Sequence, residues 1–419
     1  MKKRTKPGKF KKILLILGPG LVTGASDDDP SGIATYSQAG AQFGPATLWT
    51  ALFTFPMMAA IQGMCARIGI VTGQGLTVTL RNHYPKSLLY IMLLFSFPAI
   101  TLNIGADIQG MGAVAHMIIP QLPAFACSII FTGILMFVII KFPYQKIAKI
   151  LRWLCIFLLL YIIVPFMVKQ DWGVVLRNTF IPTMHFNKSF LSVIVAILGT
   201  TISPYLFFWQ ATMEAEDIAH KKTKVVVDKK ILTDMKMDVN TGMLLSNLVM
   251  FFIILTAGSV LFNSGIHQID TVEQAAKALQ PLAGKFAYLL FALGIIGTGL
   301  LAIPVLAGSQ SYMLAETFGW DAGLDKTFPQ AKSFYVSIII SLLVGLSLDF
   351  LHVSPIKALL YTAIAYGITS PVLIAIILHI GNNKSIMKEN TNSKLSNFLG
   401  FLTLIIMTAA AVALIWFLF

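Results

Sequence analysis

The stretch "GPGLVTGASDDDPSGIATYSQAG", Gly18 to Gly40, places three consecutive carboxylates, Asp27, Asp28 and Asp29, in an otherwise apolar run and follows them with Pro30. Carboxylates among serine, threonine and glycine are oxygen donors, the chemistry that holds hard cations. Facing lipid at mid-span, each aspartate would cost roughly 2.5–3.5 kcal/mol, and three together close to ~10 kcal/mol. They must therefore face protein or a water-filled cavity. Three successive helical positions fan over about 200°, so a continuous helix cannot aim all three into one cavity. Pro30 removes an N–H and disfavours helix at Asp29, and Ser31-Gly32 give a pliant exit, so the chain is expected to unwind here. The competing reading is a solvated loop between two short helices. Against it, the flanks "KKILLILGPGLVTGAS" and "GIATYSQAGAQFG" make one span together and are too short apart.

The elements that position this segment are those of a membrane protein. Of 419 residues, 56% are hydrophobic and 12% charged, and the mean hydropathy is +0.78; soluble domains carry about 25% charged residues. Eleven apolar spans are expected, near 12–41, 46–70, 87–117, 121–141, 146–168, 189–216, 239–263, 285–315, 332–350, 354–380 and 396–419. The net charge of +13 gathers at the N-terminus and in short loops: "MKKRTKPGKFKK", "RNHYPK", "KFPYQKIAKILR", "HKKTKVVVDKK" and "GNNKSIMKENTNSK" fall on one side if the spans alternate. That asymmetry places the N-terminus (1–11) in the cytoplasm and the C-terminus outside, and it reads as orientation in a plasma membrane rather than affinity for nucleic acid. "DDDP" after the first apolar run is no small-residue cleavage site, so a cleaved signal peptide is not expected. Cys65, Cys127 and Cys155 lie in separate apolar runs and read as buried hydrophobes. The histidines sit near span ends.

A broken first helix predicts a broken partner, because transporters built from inverted repeats carry one at the matching place of each half. The sixth span supplies it: "SVIVAILGTTISPYLFFWQATMEAED" has Pro204 in mid-span. The expected fold class is an all-α polytopic membrane protein, with two inverted five-span repeats at 12–168 and 189–380 and an eleventh helix at 396–419.

These residues carry a family resemblance. "GPGLVTGASDDDPSG" resembles the first helix of the Nramp divalent-metal transporters, in which Gly-Pro-Gly is followed at this spacing by Asp-Pro-Gly-Asn. "LGTTISPY" stands where that family has Met-Pro-His in helix six. "ARIGIVTGQGLTVTLRNHYP", "GADIQGMGA" and "IPVLAGSQSYMLAE" resemble the segments after helix two, in helix three and in helix eight. The resemblance implies a LeuT-type 5+5 fold with helices one and six broken, and a mid-membrane site for a transported metal ion. Its ligand positions fall on Asp29, Gly32 in place of Asn, Ser203 in place of Met, and the backbone of Ser26 and Thr200. The positions of two helix-six histidines are Tyr205 and Gln210. In helix three, Asp107 is kept and the acid that follows it by three is Gly110.

The departures bear on the cargo. A thioether favours soft or borderline metals, whereas carboxylate, hydroxyl, carbonyl and water suit hard ones. Mg²⁺ sheds water reluctantly and is usually held through one or two carboxylates with several waters kept. The pattern resembles the Nramp-related magnesium transporters, which implies Mg²⁺ uptake by alternating access, with Mn²⁺ as a second substrate and no obligatory proton coupling. Asp27 and Asp28 have no counterpart in the ordinary family; they either hold the ion's water shell or raise the local cation concentration. Asn103 and Asp107 lie four apart and are expected to face the bundle interior, as are Thr362 and Tyr366. Glu214, Glu216, Asp217, Asp234 and Asp238 read either as an acidic inner vestibule or as interfacial charges paired with lysines. Other readings are a proton-coupled Mn²⁺ or Fe²⁺ transporter and an amino-acid or organic-cation carrier on the same fold, the latter disfavoured by the aspartates. The chain has neither HExxH nor GxSxG, so an intramembrane enzyme is not expected, nor is a resident cofactor. Oligomeric state is not legible.

Overall fold

The computed structural model describes residues 18–143, 160–219, 227–351 and 353–417. The described chain is helical and contains no strand. The first span is two helices, α1 (Pro19–Asp27) and α2 (Pro30–Phe43). Then come α3 (Trp49–Thr72), a short α4 (Leu76–His83), α5 (Lys86–Ile118) and α6 (Ala124–Lys141). The expected fifth span lies mostly outside the described residues, which resume at α7 (Leu160–Met167) and a surface helix α8 (Trp172–Phe180). The sixth span is again two helices, α9 (Lys188–Thr201) and α10 (Pro204–Ala219). The rest are α11 (Lys229–Val260), α12 (Ala287–Phe318), α13 (Lys332–Ser347), α14 (Pro355–Asn382) and α15 (Lys394–Trp416).

Among the described residues nine segments are long and apolar enough to cross a membrane. The count differs from eleven for identifiable reasons. The first span is split into pieces of 9 and 14 residues, and the fifth is largely undescribed. Burial separates centre from rim: 94% of the most apolar window in the α9–α10 segment is buried, against 28% in α6 and in α15. The broken helices are thus the axis of the bundle, and the outer helices turn their apolar faces to lipid.

Packing around that axis is reciprocal. The first broken helix lies against α11, and α10 of the second lies against α3. Both contacts are backbone-close, with Gly24 on Gly242 and Gly69 on Ala211 leaving no room for a Cβ. Small residues are what allow such approach between membrane helices. α11 begins ten residues before the expected span, because Asp228 caps it by accepting from the Ile231 N–H at 2.8 Å. Cys65 and Cys127 are buried free thiols.

Candidate functional site

Both breaks have the same local cause. Each second half starts at a proline, Pro30 or Pro204, in the first helical position, where a missing N–H leaves no helical bond unmade. Asp29 is the N-cap of α2 and accepts from the Gly32 N–H at 2.7 Å. "DDDP" therefore stops one helix and starts the next.

The unwound turn divides the three aspartates. Asp27 accepts from the Ser246 hydroxyl of α11 at 2.7 Å, and Asp28 lies 3.4 Å from the same hydroxyl. Asp29 turns to α5, where the Asn103 amide donates to it at 2.9 Å and to Asp107 at 3.0 Å. One NH₂ group thus bridges two carboxylates. All of these side chains are buried. Ser26 Oγ, Asp27 Oδ1, Asn103 Oδ1, Asp107 Oδ1 and the Tyr366 hydroxyl are buried without a hydrogen-bond partner. Buried polar atoms are normally paired, so these orphaned oxygens beside a broken helix have capacity left for water or a polar ligand. Among the described residues no three His, Cys, Asp or Glu side chains converge as a metal cage.

The remaining sequence-derived positions are dispersed. Tyr205 donates to the Ser26 carbonyl at 2.7 Å, and its ring lies 6.0 Å from that of Tyr366. The Ser203 hydroxyl turns back on the Thr200 carbonyl at 2.5 Å. Gly32 leaves less space than a missing side chain suggests: a Cβ there would stand 3.1 Å from the Asp27 carbonyl and 3.4 Å from Thr200 Oγ1. The two broken helices have closed over it. Thr362 meets the Ser31 hydroxyl at 3.2 Å and so tethers α2 to α14.

Gln210 bonds to Thr23 at 2.5 Å and to Glu214 at 2.9 Å, linking α1 to α10. Asp238 is no vestibule or interfacial charge: it caps α1, accepting from the N–H groups of Gly18, Gly20 and Leu21 at 2.8, 2.7 and 3.2 Å. Of the expected partners of the acidic group, Lys221, Lys222 and Lys236, the first two lie outside the described residues. Ser246 was not among the expected site residues, although "LLSNLV" sets a polar pair inside an apolar span. Ser370 was also missed; it donates to the Ile202 carbonyl at 3.0 Å, in the second break.

The family model described as natural resistance-associated macrophage protein-like, Nramp, matches residues 20–417. The chain belongs to the Nramp family. Similar proteins include the divalent metal cation transporter MntH of Caldanaerobacter subterraneus, 23% identical over 94% of this chain and 91% of that protein. MntH of Yersinia enterocolitica is 25% identical over 96% and 95%. A crystal structure of the Eremococcus coleocola manganese transporter matches with a TM-score of 0.78 at 18% identity, over 97% of this chain and 88% of that one. The nucleobase-cation-symport-1 transporter Mhp1 matches at 0.54 and 15%, over 96% and 91%. This Nramp chain therefore has the all-helical LeuT-type fold and is a multi-pass membrane protein.

Proposed function

We propose that this Nramp protein carries divalent metal cations across the membrane by alternating access, with Mg²⁺ as its main cargo and Mn²⁺ as a second. One observation carries the reading: at the break of the first helix, Asp29 is joined through Asn103 to Asp107 amid buried orphaned oxygens. Ser203 stands at the position of the family's thioether. Asp29 and Asp107 supply the charge, while Asp28, Ser26, Gly32, Thr200 and Ser203 border the ion and its retained waters. Two carboxylates among hydroxyl and carbonyl oxygens, with no sulfur at the Ser203 position, suit a hard ion that keeps part of its hydration shell. On this reading the repeats run 12–168 and 189–380, the helix at 396–419 is additional to both, and the N-terminus is cytoplasmic.

The similar proteins named as divalent metal cation and manganese transporters favour a second reading, ordinary Mn²⁺ transport. Flux into liposomes loaded with a Mg²⁺ indicator, with Mn²⁺ and Cd²⁺ as competitors, decides between them. Mg²⁺ entry at millimolar concentration supports the first reading. Mn²⁺ or Cd²⁺ entry without Mg²⁺ supports the second, and a response to amino acids alone sinks both.

A further inference from the structure

Proline has no N–H, so each break strips a carbonyl four residues upstream of its helical partner: Pro30 strips Ser26 and Pro204 strips Thr200. A stripped carbonyl beside a buried carboxylate is a ready inner-sphere ligand for a hard cation. In this chain each already accepts a hydroxyl hydrogen bond at one of its two lone pairs. The Tyr205 hydroxyl donates to the Ser26 carbonyl at 2.7 Å, and the Ser203 hydroxyl donates to the Thr200 carbonyl at 2.5 Å. Tyr205 belongs to the second broken helix and donates to a carbonyl of the first, and its ring is backed by Tyr366.

We infer that Tyr205 and Ser203 determine specificity by competing with the ion for both carbonyls. The inference rests on the cation reading of the site and extends it: an ion at Asp29 retains water where the two carbonyls would otherwise bind it. That arrangement favours Mg²⁺, which gives up water reluctantly, over ions that gain more from direct coordination. It also assigns the Ser203 hydroxyl a task of its own, distinct from the mere lack of a sulfur ligand.

The test uses full-length protein as wild type, Tyr205→Phe, Ser203→Ala and Ser203→Thr. Mn²⁺ is the probe, and pulsed EPR in ¹⁷O-enriched water counts the waters on the bound ion. Tyr205→Phe and Ser203→Ala are each expected to lose one bound water and to raise the Mn²⁺-to-Mg²⁺ affinity ratio on the order of tenfold, the size of one polar contact to a charged group. Ser203→Thr keeps the hydroxyl, so its water count should stay closer to wild type than that of Ser203→Ala. The two hydroxyls sit on different residues, so either folded variant suffices. Wild-type water counts and ratios in the Phe and Ala variants overturn the inference and leave the cation reading standing. If wild-type protein binds neither Mn²⁺ nor Mg²⁺ at millimolar concentration, both fall.

Discussion

Tyr205 and Ser26 lie 179 residues apart, and a 2.7 Å hydrogen bond joins the hydroxyl of one to the carbonyl of the other. It crosses from the second broken helix to the first, at the level where both chains are unwound. The two breaks are thus joined directly by a side chain of one and the backbone of the other.

Asp29 caps α2 and also supplies the charge facing Asn103, and the two roles separate by substitution. Asp29→Ala should abolish Mg²⁺ flux and lower stability by about 0.5–2 kcal/mol, the usual worth of an N-cap. Asp29→Asn keeps an acceptor for the Gly32 N–H, so it should lose flux while unfolding near the wild-type temperature. Flux in liposomes and thermal unfolding of the same preparations check this, and wild-type flux in either variant removes Asp29 from the site.

Asp238 holds three N–H groups at the start of α1. Asp238→Ala is expected to cost about 1–2 kcal/mol and to speed hydrogen exchange at residues 18–21 while the centre of α11 stays protected. Unchanged exchange there would show that the cap does not pin the helix.

Restoring family side chains at Ser203 and Gly32 should soften the site. Ser203→Met with Gly32→Asn is predicted to weaken Mg²⁺ transport and to strengthen Cd²⁺ competition by an amount on the order of 1–3 kcal/mol. The tight surround of Gly32 makes Ser203→Met alone the first variant to assay, since a Cβ at 32 forces neighbours to yield by a few tenths of an ångström. The ratio of Mg²⁺ to Cd²⁺ flux is the readout. A wild type that already prefers Cd²⁺ refutes the hard-ion reading.

Transport should proceed without obligatory proton movement. Gly110 carries no acid and faces Leu359, Tyr205 is engaged with Ser26, and Gln210 is tied to Thr23 and Glu214. Asp107 alone remains of the proton route that the family resemblance implies. Metal uptake should leave the pH inside liposomes unchanged; acidification in step with metal flux contradicts this.

Accessibility labelling of single cysteines placed at residues 3 and 418 should find the first on the cytoplasmic face and the second outside. The buried Cys65 and Cys127 should contribute little background, and Cys155, outside the described residues, is replaced by serine in the labelled protein. Both termini on one face would overturn the basic-loop reading.

Spans and breaks were legible because their causes are local. Lipid demands about 20 apolar residues per crossing, and α5 at Lys86–Ile118 answers an expected 87–117. α11 overran its window because a capping aspartate, not hydropathy, decides where a helix starts. Asn103 and Asp107 were expected to share an interior face from their spacing of four, and they do.

What the amino-acid order determined by itself is that the chain crosses a membrane, that its first and sixth spans break at Pro30 and Pro204, and that Asp29 stands at the first break. Proline chemistry and the insolubility of charge in lipid act within a few residues, so they need no fold to be read. Tertiary structure decided that Asp27 and Asp28 face Ser246 while Asp29 faces Asn103, that Asp238 caps α1, and that Tyr205 donates to the carbonyl of Ser26. An unwound turn has no periodicity from which side-chain direction follows, and each of these partners lies at least 74 residues away in sequence. Only the packing of the two broken helices against α5 and α11 brings them within a hydrogen bond.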